Sequence, residues 1–205
     1  MHVDSIKIIT QIDDKAWSRC LDTIRNRCNS DPLIENYLKI VPKNYYHFVA
    51  AVYADQIISF GAIEHSPQKW GPYIARVLTR FWIHPDFRTH SLTKWGAGNI
   101  RFSPIILKPQ LEFLKSQNDI KVAMITRQGK YKKSFMEICR LSSEVAADNF
   151  EIDDKIYNVC GNSDDESCYQ MIALSSINHA DKWSILNNAV SSGFFRYNGK
   201  KTYAN

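Results

Sequence analysis

The sequence predicts an α+β (α/β) domain, built on a central mixed, mostly antiparallel sheet of six or seven strands with helices on both faces. Three observations carry that expectation. Alternating or β-branched apolar runs recur between stretches whose apolar residues fall at helical spacing. The run IKVAMIT at residues 120–126 is almost unbroken in apolar character, as a strand covered on both faces should be. Two pairs of strand-like runs are separated by short polar turns and read as hairpins.

Residues 5–12 alternate weakly and read as a first strand. Asp13 and Asp14 supply an N-cap and first-turn acids for a helix reaching about Arg27, with Trp17, Leu21 and Ile24 on one face. Pro32 suits the first turn of a second helix carrying Leu33, Tyr37, Leu38 and Ile40. Residues 47–53 and 57–64 form a hairpin around Ala54, Asp55 and Gln56, and residues 73–83 a long β-branched and aromatic strand. Ile106, Leu107, Leu111 and Leu114 mark a helix, which Pro109 should kink or restart at Lys108. After the strand at 120–126, residues 131–141 read as a helix with Phe135, Ile138 and Cys139 inward. Residues 150–160 and 168–174 then close as a second hairpin. The expected organisation is a domain over residues 1–175 and an extension over 176–205 packed on it. In the extension, Trp183, Ile185 and Leu186 suggest a short helix, and residues 194–197 a docked aromatic segment.

A chain of 205 residues is long enough to bury a core without staples. The net charge of +5 is spread along the chain, which describes a solvated surface rather than a nucleic-acid-binding face. No apolar run approaches the length of a membrane span. Five cysteines with no CxxC pair, and an N-terminus MHVDSIKIIT without signal-peptide character, predict reduced buried thiols in a cytoplasmic protein. The six histidines are scattered, so no metal is expected.

The segment FWIHPDFRTHSLTKWGAGN, residues 81–99, carries the functional signal. An apolar strand is stopped by His84, Pro85 and Asp86, and a basic, Ser-, Thr- and Gly-containing loop follows. Ile83-His84-Pro85-Asp86-Phe87-Arg88, together with the order of elements over residues 5–174, resembles the GCN5-related N-acetyltransferase (GNAT) superfamily. In that family a strand ends in a pattern like V-x-P-x-[FY]-R. A turn of the form [QR]-x-x-G-x-[GA] then leads into a helix, and its amides hold the pyrophosphate of acetyl-coenzyme A. The resemblance therefore implies a GNAT-like fold and acetyl-CoA as co-substrate. It also implies cofactor contacts from Ile83, Arg88, His90, Ser91, Leu92 and Thr93, or from the turn holding Gly96 and Gly98. Ser91 and Thr93 stand where the family has glycines, and residues 94–102 read as an insertion. Hydroxyl residues still present backbone amides, and Arg88, His90, Lys94 and Arg101 make the loop basic.

Acetyl transfer to an amine needs a base, a donor to the thioester carbonyl and an acid for the departing thiolate. The strand at 73–83 carries no carboxylate, which leaves Glu64 and His65 as the nearest bases; surface residues at a strand end are the alternative for both. Where the family places its tyrosine acid this chain has Phe135. Tyr131, one turn earlier on the same helical face, is the substitute, with an exposed helix-start tyrosine as the alternative. The expected activity is acetyl transfer to a primary amine of a small molecule or protein by direct attack in a ternary complex. The competing reading is a non-catalytic interaction or assembly module on the same fold, with a second copy or a macromolecule as partner.

Overall fold

The computed structural model describes residues 5–29, 34–87, 103–128, 150–153, 155–156, 158–161, 167–191 and 195–198. The chain divides into two compact units, Met1–His65 with Thr79–Gln110 and Ser66–Leu78 with Leu111–Asn205.

In the first unit, β1 (Lys7–Ile9) pairs antiparallel with β2 (His47–Tyr53), and β2 with β3 (Gln56–Ile63). The β2–β3 turn places Ala54 and Asp55 at φ 47° and 59°, the left-handed pair that matches the twist of a two-residue hairpin. Helix α1 (Asp14–Arg27) begins where Asp13 accepts the Ala16 N–H at 2.8 Å, and ends with Arg25 and Arg27 against its dipole. It buries Trp17, Cys20 and Ile24; Leu21, expected on that face, is half-buried. Helix α2 is a short segment, Ile34–Leu38, and Ile40 beyond it is buried with its carbonyl accepting the Trp17 indole N–H at 3.1 Å.

Alternation on β2 sends Phe48, Ala50 and Val52 into a core with α1, and Val49, Ala51 and Tyr53 into a second core with Ile105 and Ile106. The β2–β3 register passes from Ala51↔Ser59 to Val52↔Ile57, skipping Ile58. This bulge reverses the face, so Ile57 packs with Phe60 and Ala62 while Ile58 packs with Val49 and Ile106. Gly61 lies where β3 meets the next helix. A Cβ there would stand 2.6 Å from Ile106 Cγ2 and 3.1 Å from the Phe81 ring. Ile106 is fully buried and cannot withdraw, so Gly61→Ala is expected to destabilise the protein by about 1–3 kcal/mol. An unshifted denaturation midpoint would show that the helix gives way instead.

Strand β5 (Tyr73–Ile83) runs through both units. In the second unit its first half pairs antiparallel with β4 (Gln68–Trp70) and parallel with β6 (Ile120–Gln128). β6 pairs with β10 (Ser167–Ala173), β10 with β9 (Asn158–Gly161), and β9 with β11 (Phe195–Asn198), all antiparallel. The sheet order is β1-β2-β3-β5-β6-β10-β9-β11, with β4 beside β5. The mixed sheet expected from the sequence is therefore present, and all seven expected strands contribute to it. β4 and β11 are additions. Helix α3 (Ser103–Ser116) joins β5 to β6, the crossover that parallel neighbours require. The helix carries Pro109 within it rather than starting at Lys108.

One expected strand is corrected. Residues 150–160 do not run straight: β7 (Glu151–Ile152) and β8 (Lys155–Ile156) form their own two-stranded hairpin before β9. Asp153, at φ 51°, takes the left-handed turn that breaks the run. The last described helix, α4 (His179–Ser191), inserts Ile185, Leu186 and Ala189 among Trp70, Ala75, Val122, Phe150, Ile152, Met171 and Ala173. The helix expected at residues 131–141 lies outside the described residues.

Candidate functional site

The parallel pairing of β5 with β6 is registered from Ile74↔Ile120 to Leu78↔Ile125. Two residues later Arg80, exposed and in mid-strand, has φ 58°. An L-residue in that region costs about 1–2 kcal/mol, and it persists because the strand is held on either side. Past Arg80 the Trp82 carbonyl accepts the Ser59 hydroxyl at 2.8 Å, and the His84 N–H donates to the Ile58 carbonyl at 2.8 Å. The left-handed residue stands two positions beyond the last registered pair with β6, inside a strand that continues to Ile83.

The chain then enters a single 3₁₀ turn, Pro85–Phe87. His84 is buried, and its Nδ1 accepts the Asp86 N–H at 3.2 Å. The Phe87 N–H donates to the His84 carbonyl at 2.9 Å, closing the turn. The Asp86 carboxylate meets the Arg27 guanidinium at 2.6 Å, at the end of α1. The Phe87 ring packs edge-on against His84 and Tyr53, with centroids 5.4 and 6.1 Å away.

Of the site residues singled out from sequence, Ile83, Glu64 and His65 are described. Ile83 is half-buried at the end of β5, against the core of Val49, Ala51, Ile58 and Ile106. Glu64 is half-buried one residue beyond β3, and His65 beside it is exposed with its ring edge-on to Tyr46 at 6.3 Å. Arg88, His90, Ser91, Leu92, Thr93, Gly96, Gly98 and Tyr131 lie outside the described residues.

Three features went unread in the sequence. Arg80 gives no local signal, since arginine is not a left-handed residue by habit. Arg76 is buried in β5 at 9% exposure, a charged residue inside the apolar pattern YIARVLTRFWI that could have been flagged. Gln110 is fully buried in α3, and neither end of its amide finds a partner among the described residues. Burial, and secondarily Cys28, pushes the Cys20 thiol up to about 12. The raised value disfavours the reactive thiolate. Among the described residues no group of three or more His, Cys, Asp or Glu could hold a metal ion, and no helix is long and apolar enough to cross a membrane.

No family model and no curated protein matches the sequence. Solved structures do match. A structure from Lactobacillus plantarum assigned as an N-acetyltransferase superposes at TM-score 0.51 and 13% identity, over 83% of this chain and 99% of its own. An acetyltransferase from Streptococcus agalactiae aligns over 83% and 99% of the two chains, at 0.49 and 12% identity. A GNAT-family acetyltransferase from Bacillus cereus aligns over 84% and 99%, at 0.46 and 9% identity. At such identities the likeness is one of fold, and it rests on the first of the three. The chain has the fold of the GNAT superfamily.

Proposed function

We propose that this protein is an acyl-CoA-dependent N-acetyltransferase that moves an acetyl group from acetyl-CoA to a primary amine by direct attack in a ternary complex. The observation that carries the reading is the position of the Ile83–Arg88 motif. It stands at the end of the strand that pairs parallel with β6, just past the break at Arg80. The described part of β5 offers such a co-substrate one local feature, the left-handed backbone at Arg80 just beyond the strand's pairing with β6. Bound acetyl-CoA supplies the activated acetyl thioester. Arg88, His90 and the amides of Ser91, Leu92 and Thr93, or the turn with Gly96 and Gly98, would hold its pyrophosphate. Glu64 would take the ammonium proton, through water, and Tyr131 would give one to the departing sulfur. The similarity to an N-acetyltransferase structure supports the same class. The acceptor class is a primary amine of a small molecule or a protein, and the compartment the cytoplasm.

Arg88→Ala is expected to weaken coenzyme A binding about 5- to 150-fold, the equivalent of losing a charge-assisted contact of about 1–3 kcal/mol. Added salt should weaken it further. Calorimetric titration of coenzyme A into the wild-type and variant proteins measures both. Absence of binding at millimolar coenzyme A would favour the second reading, a non-catalytic module binding a second copy or a macromolecule. The presence of Phe135 where the family pattern has a tyrosine supports that alternative.

A further inference from the structure

We propose that His84 is a proton-sensitive latch, holding the turn after β5 in its present shape only while its imidazole is neutral. The ring is 3% exposed and lies edge-on to Trp82 and Phe87. Because Nδ1 accepts the Asp86 N–H, the ring proton belongs on Nε2. Nε2 lies 3.1 Å from the Gln56 side-chain amide at the start of β3. The atom placed there is the Gln56 side-chain nitrogen, and because a ring N–H needs an acceptor we assign the amide with its two ends exchanged, oxygen toward the ring. Both nitrogens of the neutral tautomer are thus occupied, each in the role that tautomer allows.

The charged groups around the ring favour a second arrangement once a proton arrives. Gln56, from β3, is neutral; the turn contributes Asp86, and α1 contributes Arg27 through Asp86. One Asp86 oxygen binds Arg27 at 2.6 Å while the other stands 3.9 Å from His84 Nδ1. Protonation places an N–H on Nδ1, facing the Asp86 N–H, and two donors cannot share that bond. Among the described residues the Asp86 carboxylate is the counter-charge within reach, and taking it draws Asp86 from Arg27 and releases its amide. The neutral ring therefore holds the turn, and falling pH opens it. Its effect on coenzyme A rests on the function proposed above: the chain leaves this turn at Arg88, so affinity should fall together with the latch.

Backbone amide exchange at Asp86, followed by NMR across the His84 titration, tests the latch without any ligand. Relative to the intrinsic rate, wild-type protection should fall about ten-fold or more on protonation, the loss of one hydrogen bond. In His84→Asn the side-chain oxygen can still accept the amide two residues on; protection should survive and the pH step vanish. In His84→Leu protection should be low at every pH. A wild-type protein without the step, or a step that persists in His84→Asn, overturns the latch. Coenzyme A titrations at the same pH values separate the two ideas. Affinity that ignores a clear Asp86 step overturns the coupling. A wild-type protein that binds no coenzyme A overturns the proposed function, and Asp86 exchange still decides the latch.

Discussion

Phe60→Ala is expected to lower the stability of the protein by about 3–5 kcal/mol, the range for truncating a buried aromatic residue. Phe60 is fully buried and stands at the centre of a ring cluster. It stacks on Phe48 and Trp82 at 5.4 and 5.3 Å and meets Trp17 and Tyr37 edge-on at 5.3 and 6.4 Å. These partners come from α1, α2, β2 and β5, so they cannot close on the void together. The cavity term should therefore be near its full size. Urea unfolding of the two proteins, compared at unchanged slope, gives the difference. A loss below about 1 kcal/mol would mean that the cluster repacks freely.

On the function proposed above, Tyr131→Phe should lower the acetyl-transfer turnover about 100-fold or more, the contribution of a positioned general acid. Coenzyme A affinity should change little, because the ring is kept and one hydroxyl removed. A fall in kcat with an unchanged dissociation constant marks an interaction made only in the transition state. The readout is single-turnover acetylation of a primary-amine panel beside calorimetric titration. Unchanged turnover would remove Tyr131 from the role and leave proximity of the two substrates as the main source of rate.

The fold was legible wherever side-chain period reports burial directly. HFVAAVY divides between two cores, and IKVAMIT becomes the parallel neighbour of β5. Illegible features were those decided by a neighbouring element. The extra residue Ile58 in β3 depends on how β2 is paired, and the left-handed Arg80 on how β5 is held along its length. The turn at Asp153 cut an apparently continuous strand, since an Asp pair inside a polar run signals a turn no more strongly than a loop edge. In the candidate site, the motif at residues 83–88 was readable as a pattern. The burial of His84 was not: a histidine before proline reads locally as a strand stop, and Gln56, Trp82 and Phe87 enclose it only in the tertiary structure.

The parallel partnership of β5 and β6 also sets an order of events during synthesis. The β2–β3 hairpin closes over two residues and can form soon after it leaves the ribosome. Ile74 instead waits for Ile120, forty-six positions later in the chain. Until then Ala75, Val77 and Leu78 belong to a strand edge without its second neighbour, the condition in which nascent chains stick to one another. Closing that long loop gives β5 a late place in the folding sequence. Growth temperature and translation rate should therefore govern how much of this protein reaches its native state.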